Sequence, residues 1–360
     1  MLKKYTYLIG LIVLAITISS CSADDNYEPT PVSPVVFDIN AVPYNNLIEY
    51  NFFNENLADL DPVYGVVPYT LQNPLFTDYA KKKRFIWMPN DVSANYNGDH
   101  DILEFPVGTI LIKNFYYENV LPDLTTKILE TRLMINKSDG WIFATYKWNE
   151  EQTEAVLDMN GSFTNLNWLK EGVENNVNYR IPAGPECHTC HKTGDISIPI
   201  GPKPRNLNLD YDFSDGNMNQ LEKLVEMGYL NDNLPANIET LVSWKDTNAS
   251  LNERVRSYVD INCAHCHTEE AHCAYRPIRF DYLSTSEPLN LGVCLDPDTD
   301  LGNGLNFIVT PSIPLRSVMY YRINSTDVAV RMPLLGRTVI HEEGVALVEE
   351  WINSLEDNCQ

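Results

Sequence analysis

One five-residue pattern, C-x-x-C-H, occurs twice in this chain: Cys187-His188-Thr189-Cys190-His191 and Cys263-Ala264-His265-Cys266-His267. Two thiols three positions apart on a tight turn can each form a thioether with one vinyl group of a haem. The histidine that follows is then carried under the ring, where its imidazole binds iron as proximal ligand. Two such runs among only eight cysteines and seven histidines predict two covalently attached haem c groups. Cys187, Cys190, Cys263 and Cys266 are the attachment points, and His191 and His267 the proximal iron ligands. A four-thiolate zinc site would leave both trailing histidines without a role. A thioredoxin-like redox pair is disfavoured because neither run follows a hydrophobic strand and opens a helix. His188 and His265, inside the spacers, read as exposed residues beside the cofactor edge.

The N-terminus points to the compartment. Lys3 and Lys4 precede an apolar run from Leu8 to Ile18, too short for a stable membrane span. It ends in Ile18-Ser19-Ser20-Cys21, which reads as a lipoprotein signal peptide over residues 1–20, with Cys21 the acylated new N-terminus. The expected state is a bacterial outer-membrane lipoprotein on the periplasmic or cell-surface face, held by its lipid and not by a span. Residues 21–34 are acidic and proline-bearing and read as an extended tether. A net charge of −23 argues against nucleic acid and anionic headgroups as partners and permits docking to a basic redox protein.

The predicted fold class is α+β multidomain: an N-terminal β-sandwich or jelly-roll-like domain over residues 35–180, followed by two mainly α-helical haem regions. Phe105-Pro106-Val107-Gly108 leads into the β-rich run Thr109 to Tyr117, and Leu129–Ile135 and Trp141–Trp148 flank a polar turn ending in Gly140, a hairpin pattern. The basic run Lys81-Lys82-Lys83-Arg84 reads as a solvated loop or strand end, with a docking patch as the minority view. The first haem region, 181–248, is proline- and glycine-rich around its motif. A helical pattern then places Met218, Leu221, Leu224 and Val225 on one face, with Gly228 to end it. The second haem region, 249–360, opens on a capping box, Ser250 and Glu253. Leu251, Val255, Tyr258 and Val259 repeat at helical spacing up to Cys263, and Val345, Val348, Trp351, Ile352 and Leu355 repeat likewise near the end.

Helix, C-x-x-C-H, a Met-Pro loop and a final helix is an order of elements that resembles a single-haem cytochrome c domain. In that resemblance the sixth iron ligand is a methionine in the loop before the last helix, which here is Met332, 65 residues after His267. Met319, read as packed on a helix, and His341, read as a surface or capping residue, are the rivals. A Met ligand favours ferrous iron and a higher potential. For the first haem, Met218 is carried as a sixth ligand on spacing alone; Met227, Met159 and a vacant position are the alternatives. Cys273 and Cys294 are expected to pair as a disulfide in an oxidising compartment, leaving Cys359 free. Asp296-Pro297-Asp298-Thr299-Asp300 has the first spacings of a calcium loop, but Leu301 replaces the required glycine and Phe307 the bidentate carboxylate; it reads as an acidic surface turn.

Longer stretches of the chain resemble a family of bacterial dihaem c-type cytochromes typified by a Shewanella member, often partners of parallel β-helix proteins. The resemblance covers most of residues 65–355. It rests on Tyr69-Thr70-Leu71-Gln72-Asn73-Pro74-Leu75-Phe76-Thr77-Asp78-Tyr79-Ala80, Phe105-Pro106-Val107-Gly108-Thr109, Ile200-Gly201-Pro202-Lys203-Pro204-Arg205-Asn206-Leu207-Asn208, the residues around the second motif, and Arg331-Met332-Pro333-Leu334-Leu335-Gly336-Arg337. It implies two haems and electron transfer and supplies no substrate. The expected function is therefore an electron relay between an unknown redox partner and an acceptor outside the cytoplasm. The alternatives are a peroxidase-like dihaem enzyme, the electron-accepting subunit of a periplasmic dehydrogenase, or a binding protein in which residues 35–180 recognise a glycan or a partner. Dihaem peroxidases carry their motifs in two similar halves, whereas here the motifs lie 76 residues apart behind a β-rich region.

Overall fold

A computed structural model describes residues 31–302, 304–356 and 359. The signal peptide and Cys21 lie outside the described residues. Among the described residues no helix is long and apolar enough to cross a membrane. Residues from Pro34 to the C-terminus form one compact unit.

Strand outweighs helix, 27% against 19%, and the expected α+β class with two mainly helical haem regions is corrected accordingly. Among the described residues no second sheet packs against the main one to make a sandwich: one eight-stranded antiparallel sheet carries most of the β-structure, with two small two-stranded sheets following it in sequence. It meanders through β1 (Val67–Tyr69), β2 (Lys81–Trp87), β3 (Ile110–Val120), β4 (Thr125–Lys137), β5 (Gly140–Trp148) and β6 (Ala155–Leu157). The hairpin β7 (Ser162–Lys170) and β8 (Val173–Ile181) joins through Val120 opposite Trp168. Strand alternation splits this sheet into two working faces. On one, Phe85, Ile112, Leu133 and Ala144 stand side by side and bury against Leu47, Tyr50 and Phe52 of the N-terminal segment. The other face carries the site described below.

The segments that carry the two C-x-x-C-H runs are short on helix because proline and glycine interrupt them. Pro182, Pro185, Pro199, Pro202 and Pro204 lack the donor a helix interior needs. Residues 181–248 therefore hold a 3-10 turn at Gly184–Glu186, the short helices α1 (Cys187–Cys190), α2 (Pro204–Leu207) and α3 (Gln220–Glu226), and two small hairpins, β9–β10 (Lys192–Thr193, Ile196–Ser197) and β11–β12 (Asp210–Phe213, Gly216–Asn219). The Asn219 side chain caps α3 by accepting from Leu221 N–H at 2.9 Å. The helix thus starts after Met218, which belongs to the hairpin opposite Tyr211.

Further on, α4 (Leu251–Asn262) begins at the reciprocal Ser250–Glu253 cap, α5 spans Val318–Ile323, and α6 (Glu342–Ser354) ends the fold. Val255, Tyr258 and Val259 of α4 pack with Val348, Trp351 and Ile352 of α6. The disulfide joins Cys294 to Cys359, with Cα atoms 5.2 Å apart. This corrects the expected Cys273–Cys294 pair; Cys273 is buried with a free thiol.

Candidate functional site

Both C-x-x-C-H runs fold as the same single turn. His191 N–H donates to the Cys187 carbonyl at 2.9 Å, and His267 N–H to the Cys263 carbonyl at 3.0 Å. Positions three and four residues apart share a face on such a turn, so each pair of thiols and its histidine project together. His191 has its remaining valence fixed: Nδ1–H donates to the Ile198 carbonyl at 3.0 Å, which leaves the Nε2 lone pair for a metal. Burial pulls its imidazolium down to about 3, so its ring is neutral at ordinary pH. Burial likewise holds His267 down to about 4, and its Nδ1 is buried without a partner.

Each turn opens onto a cavity. The first holds about 1490 Å³ of empty space, partly open to solvent, bounded by Cys187, Cys190 and His191 and by Leu111, Met134 and Phe143 of the sheet. The second holds about 1200 Å³, bounded by Cys263, Cys266 and His267 with Ile278, Phe280 and Val348. Both are walled mainly by apolar side chains, as cofactor pockets usually are, and the two thiols and histidine of each turn are a donor set that fits one haem.

The cavities are not separate. Cys190, His265, Asn262, Tyr258 and Met332 bound both. Donor atoms of Cys190, His265 and Cys266 lie within 4.8 Å of one another, and Cys266 Sγ donates to the Thr189 carbonyl at 3.4 Å. As free thiols Cys190 and Cys266 are coupled: the hydrogen bond between their two sulfurs holds Cys190 below the usual thiol range and Cys266 above it. His265 is thus placed where the motifs meet and not simply at an exposed edge.

The Met332 loop forms a wall of both cavities. Arg337 holds it: Nε and Nη2 donate to the Met332 carbonyl at 3.0 and 2.7 Å, and Nη2 reaches the carbonyls of Arg322 and Ser325. Met319, buried on α5, lines the second cavity as well. Met218 lines neither; Met134, Met332 and His341 line the first. Met227 packs against the core beside α3, and Met159 Sδ accepts from Thr145 N–H at 3.4 Å. Reading the sequence locally missed the sheet wall of the first cavity. No local pattern marked it, because Lys113 and Arg132 stand in strands that carry other polar residues, among them Asn114, Glu130 and Thr131.

His341 sits at the N-cap of α6, stacked on Phe76 with ring centroids 4.0 Å apart and with Nδ1 3.0 Å from the Tyr258 hydroxyl. Burial pulls its imidazolium from 6.5 down to about 4. A histidine kept neutral by the fold stabilises it fully above the unfolded value. That stabilisation is lost as pH falls from 6.5 towards 4. Denaturant titrations at stepped pH are expected to show an acid limb that flattens in His341→Phe, by about 3 kcal/mol at most.

Comparison with protein-family models, with curated proteins and with solved structures finds no match.

Proposed function

We propose that this chain is a dihaem c-type electron-transfer protein, similar to the cytochrome family its sequence resembles. We place it outside the cytoplasm on a lipid carried by Cys21, exchanging electrons with a redox protein. The observation that carries the reading is the meeting of the two attachment turns at Cys190 and Cys266. If both thiols carried thioethers, Cys190 and Cys266 would hold the two cofactors close to each other, as a relay needs. When bound, the haems supply one-electron Fe(III)/Fe(II) chemistry.

The chain's residues bind, orient and shield. Cys187 and Cys190, with Cys263 and Cys266, fix each ring by two bonds. His191, locked by the Ile198 carbonyl, presents Nε2 to one iron and His267 to the other. Phe280, Ile278 and Val348 exclude water from the second cavity. Met332, clamped by Arg337, is the proposed sixth ligand of the second iron.

Redox titration of the full protein tests this. Two one-electron steps without substrate turnover are expected. Met332→Ala should lower one midpoint potential by on the order of 0.1 V, within the ~0.8 V that axial ligands span. Absence of any haem-centred redox step would overturn the reading.

A second reading has one observation in its favour. Cys190, His265 and Cys266 could hold a soft metal ion by two thiolates and an imidazole. It uses none of Cys187, His191, Cys263 or His267, and it cannot coexist with thioethers at Cys190 and Cys266.

A further inference from the structure

The sheet wall of the first cavity is ordered in rows. Pairing across the strands sets Val67, Ile86, Leu111, Met134 and Phe143 side by side, an apolar row. Two residues along, the next row reads Tyr69, Arg84, Lys113, Arg132 and Thr145. Three adjacent cations on one face of a sheet repel one another, and charges taken out of water need partners.

Arg132 has one. Its Nε donates to Glu130 Oε2 at 2.8 Å, and Nη2 pairs with Oε1. Glu130 also accepts from the Tyr179 hydroxyl at 2.7 Å and is fully occupied. Arg84 is 5% exposed, and its Nη2 is buried with no hydrogen-bond partner. Among the described residues neither Arg84 nor Lys113 has an acidic partner; the Lys113 ammonium lies over the Phe115 ring, 4.9 Å from its centroid. The neighbouring Asp78 carboxylate is already committed to Thr338 and Val339. The run Lys81-Lys82-Lys83-Arg84 is therefore divided by strand alternation. Lys81 pairs with Glu118 at the surface and Lys83 reaches the Asp59 carbonyl, whereas Arg84 stands behind the cavity wall, between Tyr69 and Lys113, which line it.

We propose that Arg84 and Lys113 bind the two propionates of the first haem. The apolar row would pack along the ring while the cationic row receives its carboxylates. The direction agrees. Arg132 is the cation beside Cys187, and Lys113 and Arg84 lie one and two strands further off, ~5 and ~10 Å at the ~4.8 Å strand spacing. Propionates leave a haem at the edge opposite its thioethers, so they extend away from Cys187 towards these two cations.

The inference rests on the haem reading above, and the test separates the two. Full-length protein is to be compared with Arg84→Met, Lys113→Met, Lys113→Arg and the surface control Lys127→Gln by intact mass, redox titration and thermal melting. Both haems should remain in every variant. One midpoint potential should fall in the two Met variants, because unneutralised carboxylates favour ferric iron, and their melting temperature should fall with it. Lys113→Arg and Lys127→Gln should match the parent. Should Arg84→Met fail to accumulate, Lys113→Met, at a half-buried position, carries the test by itself. Two attached haems with unmoved potentials and a raised melting temperature would overturn this assignment alone, since relief of repulsion would then be all that was gained. A parent protein without two haems would overturn the functional reading and this assignment with it.

Discussion

Replacing Cys263 and Cys266 together by alanine is expected to yield a protein that has lost about half of its haem absorbance and iron. On the proposed assignment both covalent bonds to one ring go with these thiols. His267 alone would remain, at the end of a cavity whose walls Ile278, Phe280, Ile308 and Val348 are apolar. The first haem should stay, because Cys187 and Cys190 and the His191–Ile198 contact are untouched. It should nonetheless sense the change, since Cys263 and His265 also bound its cavity. Absorption spectra with an iron count read the first effect, and the surviving haem's midpoint potential reads the second. Loss of both haems, or of neither, would show that the two cavities do not work as one site each.

Asp78→Ala is expected to cost about 3–5 kcal/mol in denaturant unfolding, from several buried donors left unpaired. Asp78 is 1% exposed and pins the Met332 loop region to the sheet. Its Oδ1 accepts from Thr338 and Val339 N–H at 2.6 and 3.0 Å, its Oδ2 from the Thr338 hydroxyl at 2.9 Å, and its carbonyl from the Tyr117 hydroxyl on β3. The backbone there has φ 46°, which Asp and Asn tolerate and Ala resists. Asp78→Asn should cost far less. Burial outweighs these hydrogen bonds and raises the carboxyl above its ordinary value. A group raised in the fold adds stability at low pH and loses it as pH rises, so geometry and not charge is what this side chain contributes at neutral pH. Equal losses in the two variants would contradict that.

The parts of this fold legible from sequence are those decided within a few residues. Ser250 and Glu253 cap α4 reciprocally. The turn before Gly140 joins β4 to β5, and Val345, Val348, Trp351 and Ile352 bury one stripe of α6. The two attachment turns belong to the same class, because the spacing of Cys, Cys and His is itself the geometry. Met218 shows the limit of such reasoning. Helical periodicity included it, but Asn219 supplies the cap, and the helix begins at Gln220, two residues after Met218.

What stayed hidden depends on distant strands finding their register. Arg84, Lys113 and Arg132 become neighbours only through β2–β3 and β3–β4 pairing, and nothing local to any of them announces a cavity. The same holds for Cys294, whose partner lies 65 residues away at Cys359. The helical character expected of the haem regions came from their likeness to cytochrome c. Prolines and glycines at 182–204 replace it with turns that carry the first motif to the sheet.

The mass and metal content of the intact, full-length protein, produced where haem c attachment operates, test the central proposal most directly. Thioethers at Cys187, Cys190, Cys263 and Cys266 predict the added mass of two haems, two irons per chain and no zinc. Free thiols at Cys190 and Cys266 with a non-haem metal bound beside His265, or one haem in place of two, would contradict it.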